Sequence, residues 1–253
     1  MKVGIVLSGG GARGITHLGV LKALEELGVK FDCISGTSVG ALIGAFYSQG
    51  YSPDEILNDI LTSRFYRSVR PAWRWTGLLS LDSLRAVLLK YIPHNEFESL
   101  KIPLVVAATD ISHGKAAYFS SGELIPRLLA SCCVPAVFSP VQLNGALYVD
   151  GGIMDNLPAK PIRHQCDFII GVHCNFLSDE FDARNFRSVI ERSLMMAING
   201  NSTLSKSLCD LTIEPEGSGR VSTFDFGKAK ELFEMGYQFT KEHFKESDFP
   251  KTK

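Results

Sequence analysis

Long apolar runs are missing from this sequence. No stretch approaches the roughly 18 residues that read as a bilayer-spanning helix, so no membrane span is expected. Cysteines are few and without order. The six, Cys33, Cys132, Cys133, Cys166, Cys174 and Cys209, show no C-x-x-C and no framework spacing, and adjacent Cys132 and Cys133 form a pair that rarely bonds. That excludes a disulfide scaffold and fits a reducing, cytoplasmic compartment. Charge excess is missing too: 26 basic against 27 acidic residues leave a net charge of -1, which argues against a general nucleic-acid binder. A leader is not expected, because Gly9, Gly10, Gly11 and Arg13 cut off the first apolar run too early for a signal peptide. The sequon Asn201-Ser202-Thr203 therefore reads as chance. With no internal repeat and no low-complexity linker, residues 1–253 are expected to form a single domain.

What is present centres on residues 31–45, FDCISGTSVGALIGA. An apolar run meets Gly36-Thr37-Ser38-Val39-Gly40, and a small, apolar, helix-compatible run follows at once. The pattern predicts a strand, a sharp turn and a helix, with Ser38 at the tip. Gly36 and Gly40 would relieve clashes that a Cβ creates in so tight a turn. Ser38 would stand at a helix N-terminus, where free N–H groups and the helix dipole favour developing negative charge. Those are the needs of a nucleophile, although G-x-S-x-G also arises by chance in loops.

Ahead of it, residues 2–8 read as a strand buried on both faces and run into Gly9-Gly10-Gly11-Ala12-Arg13-Gly14. A helix follows, with Leu18, Leu21, Leu24 and Leu27 on one face and Gly28 at its end. The spacing also fits a dinucleotide fingerprint. That reading needs an acid at the end of the second strand, whereas Asp32 stands at its start, so no cofactor is expected. Three glycines instead offer unhindered N–H groups, as an oxyanion hole requires. Ser52-Pro53-Asp54-Glu55 reads as a helix start. Between residues 64 and 75, Arg64, Arg67, Arg70 and Arg74 interleave with Phe65, Tyr66, Trp73 and Trp75. The plainer reading is a solvated helix with its aromatics turned inward; the other is peripheral contact with an anionic membrane surface. Strands are expected at 104–109, 115–120 across a turn at His113-Gly114, 168–174 and 210–214. Helices are expected at 124–132, over most of 176–207 after an acidic loop, and at 225–245.

Three motifs thus accumulate in order: the glycine loop with Arg13, G-T-S-V-G at 36–40, and Asp150-Gly151-Gly152 followed by Asn156-Leu157-Pro158. Together with residues 130–140 they resemble the patatin-like phospholipases, bacterial branch, over roughly residues 3–175. Cys133 and Ala136 depart from it, standing where alanine and glycine are commoner. The resemblance implies a three-layer α/β/α sandwich with a mostly parallel central sheet, and acyl-ester, usually lipid, substrates. It further implies a Ser38–Asp150 dyad, with the loop around Gly9, Gly10 and Gly11 as oxyanion hole. Gly14, Gly36, Gly40, Gly151 and Gly152 would support the motifs. The chemistry needs no metal: a buried carboxylate of raised pKa can take the serine proton.

Two other readings remain. One is an α/β-hydrolase triad in which His173 serves Ser38, although that fold places its elbow after several strands and here only one precedes it. The other is a lipid-sensing or regulatory module with little turnover. A metal site from His164, Cys166, His173 and Cys174 is set aside, since such residues on a buried strand belong to the core.

Overall fold

The computed structural model describes residues 1–62, 81–135, 137–177, 186–223 and 225–250. The basic and aromatic segment 64–75, Ala136 and the acidic stretch 178–185 lie outside them. Along the chain come β1 (Val3–Leu7), a 3-10 turn (Gly11–Ile15), α1 (Thr16–Glu26), β2 (Cys33–Thr37), α2 (Val39–Gln49) and α3 (Pro53–Thr62). Next are α4 (Asp82–Tyr91), β3 (Leu104–Asp110), β4 (Lys115–Phe119), α5 (Leu124–Ser131), β5 (Val141–Leu143) and β6 (Ala146–Asp150). The last elements are β7 (Phe168–Val172), α6 (Phe186–Ser207), β8 (Leu211–Ile213) and α7 (Ala229–His243). Among the described residues, no helix is long and apolar enough to cross a membrane.

The strands join into one eight-stranded sheet in the order β5-β6-β3-β2-β1-β7-β8, with β4 also on β3. The strands from β3 through β2, β1 and β7 to β8 pair in parallel; β4, β5 and β6 form an antiparallel flank. Side chains alternate between the two faces of a strand. On β1, Val3, Ile5 and Leu7 enter a large core shared with α1, α2, α5 and α7. Val6 enters a smaller one with Leu157, Ala159, Ile162 and Cys166. Burial on both faces is why β1 and β3 read as continuous apolar runs. The result is the expected α/β/α layering, with one outer layer much thinner than the other.

The register of β3 positions the rest. Its first half pairs with β2, Ile34 opposite Leu104 through Thr37 opposite Ala107. Its second half pairs with β6, Asp150 lying opposite Ala108. Strand β4 spans Val106 to Asp110 and so overlaps both partners. A strand has only two edges, so β4 occupies one and β2 and β6 share the other. They approach from opposite directions, and their ends, Thr37 and Asp150, meet across the Ala107–Ala108 step.

The β5–β6 hairpin is a finding that the sequence reading did not reach. Asn144 and Gly145 hold positive φ values of 49° and 86°, the turn that closes a two-residue hairpin. The signal was the Asn-Gly dipeptide itself. The helix start at Ser52 is present as expected: its N–H donates to Glu55 Oε2 at 2.8 Å, and Glu55 N–H returns to Ser52 Oγ at 3.3 Å. This reciprocal cap satisfies two donors that α3 would otherwise leave open. Ser52→Ala is expected to lower stability by about 1 kcal/mol, read as a lower urea midpoint with unchanged slope. An unmoved midpoint would mean that the cap contributes nothing.

Candidate active site

Ser38 follows β2 directly and caps α2, with φ 53° and ψ −124°. A non-glycine residue rarely takes positive φ, and its surroundings must hold it there. A Cβ on Gly36 would lie 2.7 Å from the backbone of Gly40 and Ala41, and one on Gly40 would lie 2.6 Å from the Ser8 carbonyl oxygen. The chain closes around the turn because both positions lack side chains. The Ser38 N–H donates to Ser131 Oγ at 2.8 Å, and that hydroxyl donates to the Ala107 carbonyl at 2.6 Å. The Ser38 side chain makes no cap bond to its own helix. Its hydroxyl is left for other partners.

Across that junction stands Asp150, whose carboxylate accepts the Gly152 N–H at 2.8 Å. Burial raises its pKa from the ordinary 3.8 to about 6, although the Gly152 N–H and the nearby Ser38 side chain pull it down. Burial, with the Asp150 charge nearby, pushes the Cys132 thiol pKa up well above its usual value. A side chain on Gly151 would collide with the Ala107 carbonyl, and a Cβ on Gly152 would lie 2.9 Å from Asn156 Oδ1. The segment beyond is fastened by Asp155. Its carbonyl accepts Thr37 Oγ1 at 2.8 Å, and its carboxylate accepts Tyr118 at 2.7 Å and Ser205 at 3.1 Å.

The glycine loop packs on the other side, where a Cβ on Gly9 would sit 3.3 Å from Ser38 Cβ. The Gly9 N–H donates to the Asn156 carbonyl at 3.1 Å, so it is spent and does not serve as the open donor expected from the sequence. Among the described residues, the N–H groups of Gly10 and Gly11 have no partner. Their orientation has a cause: the Gly9 carbonyl accepts Asn175 Nδ2 at 2.6 Å and Asn156 Nδ2 at 3.5 Å. In a planar trans peptide the carbonyl and the next N–H point oppositely, so holding the Gly9 oxygen turns the Gly10 N–H away from both asparagines. Arg13 is buried and donates Nε to the Val221 carbonyl at 2.6 Å, anchoring the loop. A Cβ on Gly14 would collide with Val39, the residue after Ser38.

Among the described residues no histidine hydrogen-bonds Ser38. His173 Nδ1 lies 2.6 Å from Glu214 Oε1, and Lys206 holds the same carboxylate at 2.8 Å. Burial lowers the His173 pKa, and burial takes that of His17, whose Nε2 lies 2.8 Å from the Ser8 carbonyl, down to about 4. Asp32 stands at the opposite end of β2 from the glycine loop, its carboxylate accepting the Val3 N–H at 2.8 Å. Among the described residues no three His, Cys, Asp or Glu side chains gather as a metal site requires. Ser131, Asp155 and Asn175 were not singled out from sequence. Only their positions hinted at a role, Ser131 ending an apolar helix and Asn175 just past a parallel strand, at the edge where such sheets bind ligands.

Comparison with known proteins places the fold and the sequence in one family. The patatin-like phospholipase family profile matches residues 5–162. An uncharacterized NTE family protein of Mycobacterium bovis is 35% identical over 178 residues, which cover 69% of this chain and 49% of that protein. A lysophospholipase of Emericella nidulans is 28% identical, the match covering 95% of this chain and 18% of the fungal protein. The crystal structure of VipD from Legionella pneumophila superposes with a TM-score of 0.58 at 16% identity, covering 92% of this chain and 66% of that one. The chain belongs to the patatin-like phospholipase family. It spans about half the length of the mycobacterial relative and under a fifth of the fungal one.

The raised pKa of Asp150 has a consequence for stability. The folded state binds this proton more tightly than the unfolded chain, so stability falls as pH rises from 3.8 to about 6. Above that window the full penalty of a buried charge remains, on the order of 2–3 kcal/mol. Asp150→Asn, which still accepts from Gly152, is expected to be more stable than wild type at pH 8, with the advantage fading below pH 4. Denaturant unfolding at the two pH values checks this. An Asn variant equally destabilised at both would place the carboxylate in a structural role.

Proposed function

We propose that this chain is a serine acyl-ester hydrolase of lipids, of phospholipase A or lysophospholipase type. Ser38 is the nucleophile and Asp150 its base. The observation that carries this reading is that β2 and β6 end at adjacent residues of β3, which sets Ser38, held at positive φ, beside the buried Asp150 carboxylate, whose pKa burial raises to about 6. The names of the matched family and of the fungal relatives support the substrate class. Ser38 Oγ attacks the ester carbonyl carbon while its proton passes to Asp150. The Gly10 and Gly11 N–H groups, with the N-terminus of α2, receive the negative charge that builds on the carbonyl oxygen. Collapse expels the alcohol, which takes the proton back from Asp150 and leaves an acyl-Ser38 ester. Asp150 then draws a proton from water, the resulting hydroxide attacks the acyl carbon, and Ser38 is released with the acid. Each proton taken by the carboxylate is returned within the same half-reaction. No metal or cofactor enters this scheme.

The triad reading is set aside because His173 is turned to Glu214 and His17 to Ser8. A fluorophosphonate, with the mass measured on the intact protein, tests the proposal. One adduct is expected on the wild type and none on Ser38→Ala. Unaltered labelling of that variant would sink the assignment. On a soluble ester, Asp150→Asn should lose nearly all turnover and His173→Ala should keep most of it. A folded but inactive His173→Ala beside a partly active Asp150→Asn would restore the triad.

Because the base must be ionised, kcat/KM should rise with pH through a midpoint of about 6 and then level. A flat profile between pH 5 and 8, measured on the same ester, would remove Asp150 from the role of base. At the glycine loop, a Cβ on Gly10 would lie 2.8 Å from Asn175 Oδ1 and would also meet Cys174 Sγ. Gly10→Val is therefore expected to displace one donor and cost ~10²- to 10³-fold in kcat. A loss confined to KM would argue against the oxyanion role.

A further inference from the structure

Helix α6 is built inside out. Toward the protein it presents, beside the buried Met195, the buried Ser202 and Ser205 and the amides of Asn199 and Asn201. Those groups make specific bonds: Asn201 Nδ2 to the carbonyls of Gly152 and Ile153, each at 3.0 Å, and Asn199 Nδ2 to the Asn175 carbonyl at 2.7 Å. Toward the outside it presents Ile190, Leu194, Met196 and Leu204, exposed by 51%, 43%, 57% and 74%. From residue 189 to 207 every exposed position among the described side chains is uncharged. A helix that faces water and a core carries the opposite pattern. A mostly polar inner face and an apolar outer one mean that the outer face has an apolar partner.

Its position says what that partner is. The bonds from Asn201 fix α6 beside the two residues that follow Asp150-Gly151, and Ile153 and Met154 there are exposed as well. The apolar face thus continues from the outer side of α6 onto the rim of the Ser38–Asp150 site. A ligand with long acyl chains has to cross that rim to bring its ester to Ser38. We infer that the outward face of α6, together with Ile153 and Met154, lies on a lipid surface and inserts its apolar side chains among the acyl chains. This rests on the acyl-lipid reading of the site. Because the exposed positions described on this face are uncharged, it holds by apolar insertion, which salt does not screen.

The test separates this surface from the chemistry. Binding is measured by sedimentation with phosphatidylcholine vesicles, and with vesicles containing phosphatidylglycerol, using Ser38→Ala protein so that nothing is hydrolysed. Binding to both is expected, little changed by raised salt. The pair Ile190→Glu with Leu194→Glu should lower the partition coefficient about tenfold or more. Leu204→Glu alone should lower it less, and Leu89→Glu, an exposed position on α4, should not change it. In otherwise wild-type protein the same pair should keep kcat/KM on a soluble ester and lose hydrolysis of vesicle phospholipid in step with binding. Unchanged partitioning of the pair would overturn the inference. So would a wild-type dimer in light scattering that the pair dissociates without affecting vesicle binding, since that outcome seats a second copy on this face. Absence of soluble-ester hydrolysis in the wild type would count instead against the catalytic reading.

Discussion

Everything at the candidate site depends on how β3 shares one of its edges. Thr37 and Asp150 are far apart in the chain, yet β2 and β6 run toward each other along that edge and end at adjacent residues of β3. The backbone ladder on each side fixes the register, and a slip by one residue would turn each strand's side chains to the opposite face. Ser38 and Asp150 therefore come together because two strands end at adjacent positions of a third. Ser131 reinforces the junction by linking the Ser38 N–H to the carbonyl of Ala107, on the same edge.

That junction holds two unfavourable states in place. Ser38 occupies a backbone region that a side chain disfavours, and Asp150 carries its charge, when ionised, away from water. Neither would persist alone. Gly36 and Gly40 let the chain close tightly enough to trap the serine. Donors from Gly152 and Ser38 offset part of the carboxylate's desolvation without restoring its ordinary pKa. What remains is a carboxylate whose pKa is raised to about 6 and a serine held at positive φ, both at some expense to stability. Such local conflict is where function is expected to lie in an otherwise consistent fold.

The second ring of contacts is mostly asparagine, serine and backbone. Asn175 and Asn156 hold one glycine carbonyl and by peptide planarity aim the next N–H. Asp155 ties the end of β2 to β4 and α6 through Thr37, Tyr118 and Ser205. Helix α6 spends its polar groups on these bonds and so turns its apolar residues outward. A packing demand at the site thereby shapes the outer surface beside it.

The sequence by itself determined the local pieces: a buried first strand, a glycine loop, a strand-turn-helix with Ser38 at its tip, the capped start of α3, and an Asp-Gly-Gly turn. Each is written in a short run of residues whose own sterics and periodicity dictate the outcome. The β3–β4 turn at Gly114 was readable for the same reason, and the Asn144-Gly145 hairpin carried an equally local signal. Only the tertiary structure decided that the strands bearing Asp150 and Ser38 end side by side, that His173 turns to Glu214, that Gly9 spends its N–H on Asn156, and that Asn175 orients the loop. Those facts are pairings between residues from 41 to 166 positions apart in the chain. They arise from strand order and register across a whole sheet, and no short window of sequence carries that information.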